Sequence, residues 1–436
     1  MKRLLIVAYY FPPSGGPGVQ RVLKYTKYLP EFGWEPVVLT VENGTFPAID
    51  YSLMNEIPND AKVFRTKIFE PYDLYRIFTG KPKGVAIDVN VIKKEGQKVS
   101  FKERIAEFIR ATFFIPDARV GWLLTAKKKA IEICKKHKVD AIYSSSPPYT
   151  CSLIARYVKR KMNIPWIAGF RDPWTGFIST PKRWFLPNAI DKHLEHSVFS
   201  EANIVEVAWE GIQKDAQSKY YDLPSEKFIH IPNGFDPEDY PNIKYSPNDV
   251  FTLTYTGSMY GRRNPESLFK ALEKLIIEHK LNLEEFKIKL IGRFGAEVHQ
   301  MIENTSIKQR IEVVSYLPHQ QSLENLMQSD ALLLIVDESK ESKEIVPGKV
   351  YEYLGTGRPI LAIAPTDGAI AKLIEQTKSG FVAHQTEIDK IGNNFLTLFQ
   401  VWKNNEKFTP DFDEISKYSR KEHTKKLAEI LNYLSS

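Results

Sequence analysis

Long apolar runs are missing from this sequence of 436 residues. The longest, Leu4–Phe11 and Ala331–Val336, fall far short of the ~20 residues that a membrane-spanning helix requires. Leu4–Phe11 follows two basic residues but has no small-residue cleavage site, so we interpret it as a buried strand rather than a signal peptide. The only two cysteines, Cys134 and Cys151, have neither disulfide-framework nor metal-ligand spacing. We expect both to be reduced, buried thiols in a cytosolic protein.

Low-complexity segments and internal repeats are also absent. Hydrophobic residues make up 43% of the sequence, aromatic residues 12% and charged residues 26%, which is typical of a folded protein of two or three domains. The charge is divided unequally, because residues 1–200 contain 32 Lys and Arg against 18 Asp and Glu, whereas the remainder contains 28 against 35. A basic half favours nucleic acid, anionic lipid or a phosphorylated substrate as its partner. A solvated, lysine-rich face is the alternative.

Apolar strands and helices alternate along the first half of the chain. The predicted strands are Arg3–Tyr10, Trp34–Val41, Ala141–Ser144 and Trp166–Gly169. The predicted helices are Gln20–Phe32, Ala126–His137 and Leu153–Met162. This alternation is typical of a doubly wound parallel sheet in an α/β protein, whose strands are buried on both faces.

The same alternation restarts in the second half. The predicted strands are Thr252–Thr256, Lys287–Ile291, Ile311–Val314, Ala331–Val336 and Pro359–Ala362. The predicted helices are Pro265–His279, Ala296–Asn304, Leu323–Ser329 and Val350–Leu354. A proline-rich linker, residues 231–247, separates two expected Rossmann-like domains, residues 1–240 and 250–410, with a ligand in the cleft that faces the carboxyl ends of the strands. A last helix, Glu414–Leu434, is able to pack back onto the first domain.

Residues 70–120 and their flanks are less regular and combine Lys and Arg with many aromatic side chains. These are Phe69, Tyr72, Tyr75, Phe78, Phe101, Phe108, Phe113 and Phe114. Such a surface either rests on a lipid headgroup layer or forms an inserted lid over the cleft.

A glycine loop follows the first predicted strand. Gly15 and Gly16 precede a helix, whose N-terminus attracts a phosphate while glycine permits close approach of the backbone. However, Arg21 stands where a dinucleotide fingerprint would have its third glycine, and Pro17 removes one donor. The loop therefore predicts either a phosphate contact or a plain connection.

Two carboxylates, Glu344 and Glu352, are separated by seven residues. If Pro347 and Gly348 open a helix, Lys349 lies in its first turn, next to an anion-attracting terminus. Glu352, one turn later, can accept hydrogen bonds from two vicinal hydroxyls, as ribose presents them, while Glu344 in the preceding loop can face a sugar. An exposed, charged start of a helix is the alternative.

Glu344-x7-Glu352, followed by Tyr353–Ile360, closely resembles the E-x7-E signature of family 4 retaining glycosyltransferases with the GT-B fold. Other segments resemble that family in the same order along nearly the whole chain. They are the glycine loop Tyr9–Gly16, the interdomain segment Ile231–Asp236, and the phosphate-binding strand end Tyr255–Ser258 with Arg262 and Arg263. The resemblance implies two doubly wound domains facing a central cleft.

The resemblance also implies a donor, a nucleoside diphosphate sugar, with UDP-sugar preferred over GDP-sugar and no further cofactor required. It implies that Glu352 holds the ribose, Lys349 the diphosphate and Glu344 the donor sugar. Arg262 is preferred to Arg263 as the second phosphate cation. The remaining donor contacts that the resemblance implies are Gly15, Gly16, Gly257, Tyr316, Leu317 and Val346.

The acceptor side departs from the family. Ser144–Pro148 occupies the place where many members carry a functional histidine. Asp172 follows a strand end, in a loop that Pro173 helps to define, and Arg171 is placed to keep its carboxylate ionised. We expect Asp172 to be the acceptor-side acid/base or positioning residue, the alternative being an aspartate that forms a surface turn.

No metal site is expected. His193 and His196 are suitably spaced on a predicted helix but lack a third ligand, and the pair Asp411 and Asp413 lies beyond the second domain.

The leading hypothesis is a retaining glycosyltransferase that moves a sugar from a nucleoside diphosphate sugar to an acceptor hydroxyl. The resemblance suggests a lipid-linked or saccharide acceptor in bacterial capsule, exopolysaccharide or O-antigen synthesis. The protein would act in the cytoplasm or on the inner face of the plasma membrane, with its basic half towards anionic lipid and no nucleic acid partner. Two alternatives stay open: a sugar-nucleotide epimerase on the same scaffold, and a non-catalytic basic protein that binds RNA or lipid, although no RNA-binding motif occurs.

Overall fold

The computed structural model describes residues 1–46, 48–69, 101–177, 180–338 and 343–435, with side chains omitted for residues 17 and 101–106. Its residues form two compact units. The first unit comprises residues 1–232 and 423–436, and the second comprises residues 233–422.

The first unit is built on a parallel sheet of seven strands within the described residues. The strands are β1 (Lys2–Ala8), β2 (Trp34–Val41), β3 (Lys62–Thr66), β4 (Ala141–Ser146), β5 (Trp166–Phe170), β6 (Ile204–Val207) and β7 (Phe228–His230). Their order in the sheet is β3-β2-β1-β4-β5-β6-β7. The helices are α1 (Pro17–Tyr28), α2 (Phe101–Phe113), α3 (Leu123–His137), α4 (Thr150–Met162), α5 (Phe185–Glu201) and α6 (Glu210–Lys219). Crossovers that run outward in both directions from β1 make this a doubly wound sheet, as predicted.

The second unit repeats the plan with six strands among its described residues. The strands are β8 (Phe251–Met259), β9 (Phe286–Phe294), β10 (Ile311–Val314), β11 (Ala331–Ile335), β12 (Ile360–Ile363) and β13 (Gly380–Ala383), in the order β10-β9-β8-β11-β12-β13. The helices are α7 (Glu266–Ile277), α8 (Ala296–Asn304), α9 (His319–Met327), α10 (Gly348–Thr356), α11 (Ala369–Thr377), α12 (Ile388–Lys403) and α13 (Phe412–Ser416). The expectation of two Rossmann-like folds is confirmed.

Both sheets are buried on each face, which explains the continuous apolar strands in the sequence. Leu4 and Ile6 of β1 pack in a cluster with Val22 of α1 and with Leu427 and Leu431 of the last helix, α14 (Arg420–Leu434). The alternate residues of β1 pack in a second cluster with side chains of α3 and α4. The end of the chain thus completes the core of the first unit.

Two of the differences between the predicted and the observed element boundaries have a clear physical reason. Helix α1 begins at Pro17 rather than at Gln20, because the fixed φ and missing N–H of proline suit the first turn of a helix. The predicted helix Glu414–Leu434 is interrupted between α13 and α14. There Phe235 N donates to Tyr418 O (3.2 Å) and Arg420 N donates to Phe235 O (2.7 Å), so the chain forms a bridge with Phe235 instead of a helical turn.

The two cysteines are free and buried, as expected. None of the helices in the described ranges has the length and apolar character needed to cross a membrane.

Candidate functional site

The lysine of the E-x7-E segment lies against the carboxyl end of β8. Helix α10 begins after Pro347, which puts Lys349 in its first turn. The Lys349 Nζ donates to Tyr255 Oη (2.8 Å) and to Thr256 O (2.8 Å), and it lies 4.2 Å from the centroid of the Tyr255 ring. Two segments that are almost a hundred residues apart, each predicted to contact phosphate, are therefore in contact.

Burial and the nearby Arg263 guanidinium together lower the pKa of Lys349 to about 7, although the Glu352 carboxylate opposes the shift. The ammonium is consequently only partly formed at neutral pH. An anion placed beside it would favour the charged form.

Gly257 clears the space that the Lys349 ammonium occupies. Its φ is +121°, and a Cβ at this position would lie 2.5 Å from the Lys349 Nζ. Gly257 pairs in register with Gly292 of β9, where a Cβ would lie 1.8 Å from the Gly257 carbonyl oxygen. Side chains at the two strand ends would thus displace either the lysine or the strand pairing.

Arg263, and not Arg262, is the arginine whose charge lowers the pKa of Lys349. The loop after β8 turns at Gly261, and Arg263 N donates to Tyr260 O (3.2 Å). Arg263 is half-buried and lowers the pKa of Lys349, whereas Arg262 is exposed. The Nε of Arg263 is buried and has no hydrogen-bond partner in the part of the chain that the structure describes. Which of the two arginines contacts the diphosphate stays a prediction, and the turn at Gly261 leaves Arg263 more buried than the sequence-based preference, Arg262.

Glu352 lies in the next turn of α10 and faces a histidine. Its Oε1 is 3.2 Å from His319 Nε2, and both side chains are about one-third exposed. The Tyr240 hydroxyl donates to the Glu352 carbonyl oxygen (2.8 Å) and so ties the start of the second unit to α10. The sequence analysis missed His319, although its place at the start of α9, directly after the predicted base-contacting residues, was a usable signal.

The remaining predicted donor contacts of the second unit lie around α9 and α10. Tyr316 is exposed, and the Arg293 guanidinium carbon lies 5.3 Å from its ring centroid, while Leu317 is half-buried. Glu344 is exposed in the turn before α10, and Val346 packs against the core. Their contacts with a donor stay predictions.

A backbone hydrogen bond to Ala48 holds the glycine loop of the first unit. Gly15 N donates to Ala48 O (2.9 Å), and Gly16, with a φ of +88°, directly precedes α1. Arg21 has a structural use that explains the departure from the dinucleotide fingerprint. Its guanidinium forms a buried ion pair with Glu206 and donates to the carbonyl oxygens of residues 231 (3.0 Å) and 232 (2.9 Å).

Asp172 is half-buried after β5, and burial raises its pKa, with Arg171 only partly opposing the shift. The expected role of Arg171 in keeping this carboxylate ionised stays a prediction, and Arg171 offsets only part of the effect of burial. The reason is that Arg171 has other partners, since its side chain donates to the carbonyl oxygen of Pro147 and its backbone N–H to Ser146 O (2.9 Å).

Sequence reasoning missed a cluster beside the carboxyl ends of β1 and β4. Burial raises the pKa of Tyr10, Arg119 and Arg171 oppose this shift, and Asp117 adds to it, which places all four groups within electrostatic reach. Asp117 accepts hydrogen bonds from Thr150 N (2.9 Å) and Thr150 Oγ1 (2.9 Å) at the start of α4. No local pattern could have identified Asp117 and Arg119, because they lie in an irregular segment far along the chain from β1.

Two residues of the patterns that we did not interpret as metal sites, His196 and Asp411, interact with other protein groups. His196 Nε2 lies 2.8 Å from Asp222 Oδ2, and Asp411 caps α13 by accepting from Glu414 N (3.1 Å). Within the described ranges, no group of three or more His, Cys, Asp or Glu side chains is arranged to hold a metal ion.

The aromatic segment is described only in part. Tyr72, Tyr75 and Phe78 lie outside the described residues, as does the side chain of Phe101. Of the remaining aromatic side chains, Phe69, Phe108 and Phe113 are exposed and Phe114 is buried.

Comparisons with known proteins agree with this architecture. Residues 236–411, within the second unit, match the family model of group 1 glycosyl transferases. Three similar solved structures illustrate the fold. Anabaena HepE in complex with UDP and glucose is 14% identical (TM-score 0.58, covering 99% of each chain). The lipopolysaccharide outer core galactosyltransferase WaaB in its apo form is 12% identical (TM-score 0.56, 99% of each chain).

The third structure, a putative UDP-N-acetylglucosamine 2-epimerase from Listeria monocytogenes, is 11% identical (TM-score 0.53, covering 98% of this chain and 95% of that one). No curated protein sequence matches the chain significantly. At these identities the likeness establishes the fold alone. The chain thus has the GT-B fold, and this fold and the family match of residues 236–411 together support a group 1 glycosyltransferase.

Proposed function

We propose that the protein is a retaining glycosyltransferase of family 4 that moves a sugar from a nucleoside diphosphate sugar to an acceptor hydroxyl. One observation carries the proposal. The Lys349 ammonium lies 2.8 Å from Tyr255 Oη at the end of β8, where Arg263 lowers its pKa and Glu352 opposes that shift. Two cations and a carboxylate at the carboxyl end of a doubly wound sheet suit a nucleotide.

On the donor side, Lys349 and Arg263 would neutralise the diphosphate as its negative charge grows when the glycosidic bond breaks. The Glu352 carboxylate would accept hydrogen bonds from the ribose hydroxyls, and Glu344 would contact the donor sugar. Tyr316, Leu317 and Val346 would border the base and the phosphates, with uridine preferred to guanosine. In the first unit, Gly16 would offer its backbone N–H group to an anion at the start of α1, and Gly15 would permit close approach of the backbone.

On the acceptor side, we assign Asp172 to the acceptor hydroxyl. Retention needs no enzymic nucleophile if the departing phosphate oxygen takes the proton of the hydroxyl that attacks from the same face. Asp172 would then orient that hydroxyl or share its proton, which the raised pKa of a half-buried carboxylate permits.

The acceptor we propose is lipid-linked or a saccharide, in bacterial polysaccharide synthesis on the inner face of the membrane. The excess of Lys and Arg in residues 1–200 supports an anionic acceptor or an anionic surface next to this unit.

A panel of UDP- and GDP-sugars tests the donor assignment by thermal shift. A ligand at a hundredfold its Kd stabilises a protein by about 2.7 kcal/mol, so the correct donor should give a clear rise in Tm. Calorimetry should then show weaker binding of that donor to Glu352→Ala and unchanged binding to Glu375→Ala, an exposed control on α11. Equal affinity of both variants for every nucleotide tested would contradict the assignment.

Two further measurements separate the reaction classes. Incubation with donor alone should leave the sugar unchanged, whereas an epimerase would convert it without an acceptor. With an acceptor present, the NMR coupling of the new anomeric proton should report the same anomeric configuration as in the donor. Inversion of the anomeric configuration would contradict the retaining mechanism but would still demonstrate glycosyl transfer.

A further inference from the structure

Strand β8 extends beyond its neighbour β11 at its carboxyl end. It pairs with β9 along its whole length, but among the described residues it pairs with β11 only at residues 253 and 254. On the same edge, Asp330 N donates to Thr252 O (3.1 Å) and Thr252 N donates to Asp330 Oδ2 (2.7 Å). Thr256 is buried and lies four residues further along the strand, past the end of this pairing. Its N–H and C=O groups on this edge therefore need other partners.

Helix α10 supplies these partners from two residues on one face. Lys349 and Tyr353 are four positions apart, so their side chains lie next to each other on the helix. Tyr353 Oη accepts a hydrogen bond from Thr256 N (2.9 Å), and Lys349 Nζ donates one to Thr256 O (2.8 Å). The two side chains thus bond to both polar backbone groups of Thr256, in the place that a neighbouring strand would take.

The Tyr353 phenol has a buried and well-defined position. Its side chain is fully buried and packs in one apolar cluster with Leu332 and Leu334 of β11. Its oxygen also lies 3.3 Å from Thr256 Oγ1. Burial raises the pKa of Tyr353 to about 12, so the phenol stays protonated at neutral pH. The hydroxyl oxygen is thus a constant acceptor for the Thr256 N–H.

The Tyr255 phenol is oriented to accept from the lysine. Tyr255 Oη donates its hydrogen to Ser258 O (2.9 Å), which leaves its lone pairs for Lys349 Nζ, 2.8 Å away. An ammonium has three N–H groups. Within the described ranges, the hydrogen bonds of Lys349 Nζ to Tyr255 Oη and Thr256 O use two of them, so one N–H is left for a ligand.

We propose that Tyr353 and Tyr255 are positioning residues, which hold the Lys349 ammonium at the end of β8 so that its third N–H binds the diphosphate of the donor. Tyr255 acts directly on the ammonium, and Tyr353 acts through the backbone of Thr256. This inference deepens the proposed function and rests on it for the identity of the ligand. The holding of the amine depends only on hydrogen bonds within the second unit.

Removal of each hydroxyl tests the proposal in the full-length protein. Hydrogen bonds to the charged form of a lysine favour that form, so Tyr255→Phe and Tyr353→Phe should each lower the pKa of Lys349. Calorimetry should show that affinity for UDP begins to fall at a pH about half a unit lower in either variant. At about pH 8 this shift corresponds to binding that is about threefold weaker. The charges that act on Lys349, those of Arg263 and Glu352, are the same in both variants.

Tyr245→Phe is the matched control. The Tyr245 hydroxyl donates to Asp330 Oδ1 (2.7 Å), and Asp330 holds the opposite end of the same edge of β8. This variant should lower Tm without changing the affinity for UDP or its pH dependence. A merely structural role predicts the same result for Tyr353→Phe and Tyr255→Phe. A lower Tm with the parent's affinity and pH profile in those variants would therefore overturn the proposal.

A second comparison shows whether the phenols act through the lysine. In the Lys349→Met background, Tyr255→Phe and Tyr353→Phe should have no further effect on the affinity for UDP, because the group that they hold is missing. A loss of affinity as large as in the parent background would mean that the phenols act on the donor independently of Lys349, which contradicts the positioning role.

Competitive labelling with a trace of acetic anhydride measures the Lys349 amine without any donor. Mass spectrometry of the peptide that contains Lys349 gives the fraction of neutral, reactive amine at each pH. The midpoint should move to lower pH in Tyr255→Phe and Tyr353→Phe and stay in place in Tyr245→Phe. An unchanged or higher midpoint overturns the role of the residue concerned. Tyr255→Phe, which keeps the backbone hydrogen bonds of β8, decides the question if Tyr353→Phe does not fold.

The two assignments fail in different ways. Failure of every nucleotide sugar to bind the parent would remove the proposed function, while the labelling midpoints would still show whether the two phenols hold the amine. A parent that binds UDP, with Tyr255→Phe and Tyr353→Phe variants that bind it equally well at every pH, would remove only the positioning role.

Discussion

The Lys349 ammonium and the Tyr255 phenol are 2.8 Å apart, and the same nitrogen lies 4.2 Å from the centre of the Tyr255 ring. The lysine thus packs on an aromatic face and donates hydrogen bonds to neutral oxygens. These groups stabilise its positive charge less well than water does. This environment explains why burial lowers the pKa of Lys349 to about 7.

Donor binding should therefore take up a proton. Above about pH 7 the free protein holds Lys349 increasingly neutral, and a bound diphosphate must restore its charge, so affinity should fall by up to about tenfold per pH unit. Calorimetry with UDP-glucose in buffers of different ionisation enthalpy measures the uptake. Lys349→Met should bind weakly and without uptake, whereas Lys372→Met, an exposed control on α11, should behave as the parent does. A parent affinity that does not change between about pH 6 and 8 contradicts this prediction.

Gly257→Ala should lower both the stability of the fold and the affinity for the donor, and the loss of affinity should be the larger effect. The φ of +121° makes any side chain strained there, at a cost of about 1–3 kcal/mol, and the new methyl group would also displace the Lys349 ammonium. Gly33→Ala is the control, since Gly33 has a φ of +85° but no atom within 4 Å of the point that an alanine methyl carbon would occupy. Both variants should lower Tm, and only Gly257→Ala should lower affinity for UDP. Equal UDP affinities would show that the Lys349 position is not needed.

His319→Gln should raise KM for the donor by up to about tenfold and change kcat little, because losing a hydrogen bond to a carboxylate loosens the group that holds the ribose. The reason is the 3.2 Å contact between His319 Nε2 and Glu352 Oε1. His299→Gln, at an exposed position of α8, serves as the control. An unchanged donor KM in His319→Gln would leave the contact without a role in binding.

Asp172→Asn should lower transfer to the acceptor by about 10²–10⁴-fold and leave donor affinity unchanged. Because burial raises the pKa of Asp172, the ionised form appears only at a higher pH than for an exposed aspartate. The parent's kcat/KM for the acceptor should rise with pH through this raised pKa, and the rise should be missing in Asp172→Asn. Asp60→Asn, at an exposed position before β3, should keep the parent profile. A profile that is identical in Asp172→Asn would place the titrating group elsewhere.

The two ion pairs of α5 should differ in their contribution to stability. Asp191 pairs with Arg183 where both side chains are at most 2% exposed, and removing one partner leaves a buried charge, so Asp191→Ala should cost about 3–5 kcal/mol. Glu201 pairs with Arg160, whose side chain is 57% exposed, so Glu201→Ala should cost at most about 1 kcal/mol. Calorimetric melting of the first unit compares them. Equal losses would mean that the hydrogen bonds that Arg183 donates to the carbonyl oxygens of residues 111, 114 and 116 compensate for the missing carboxylate.

The sequence allowed most of the fold to be predicted because the central strands are apolar runs buried on both faces. Strands β1, β2 and β11 are of this kind. Strand β3 was missed, because an edge strand is only half-buried and its sequence, Lys62–Thr66, carries two cations. Strand β7 was missed because it has only three residues.

The candidate site was predictable where its residues share a local motif. Lys349 and Glu352 are on one helix, so their spacing already indicated a common face. Arg263 is more buried than Arg262 because of a turn at Gly261 that no spacing rule encodes. Asp117 and His319 meet their partners only through the tertiary fold. No pattern near Asp117 indicated its contact, and the position of His319 close to Leu317 indicated a site residue but not its partner, Glu352.

The last helix, α14, packs on the first unit, so that the first and last described residues of the chain lie close together. The Lys2 ammonium donates to Ser435 Oγ (2.9 Å), and Trp34 Nε1 donates to Asn432 Oδ1 (3.1 Å). A short linker could therefore join the ends and the chain be reopened after Pro232, a circular permutation that makes both halves continuous in sequence. Each half could then be produced separately, and each could be assayed for its own ligand in isolation.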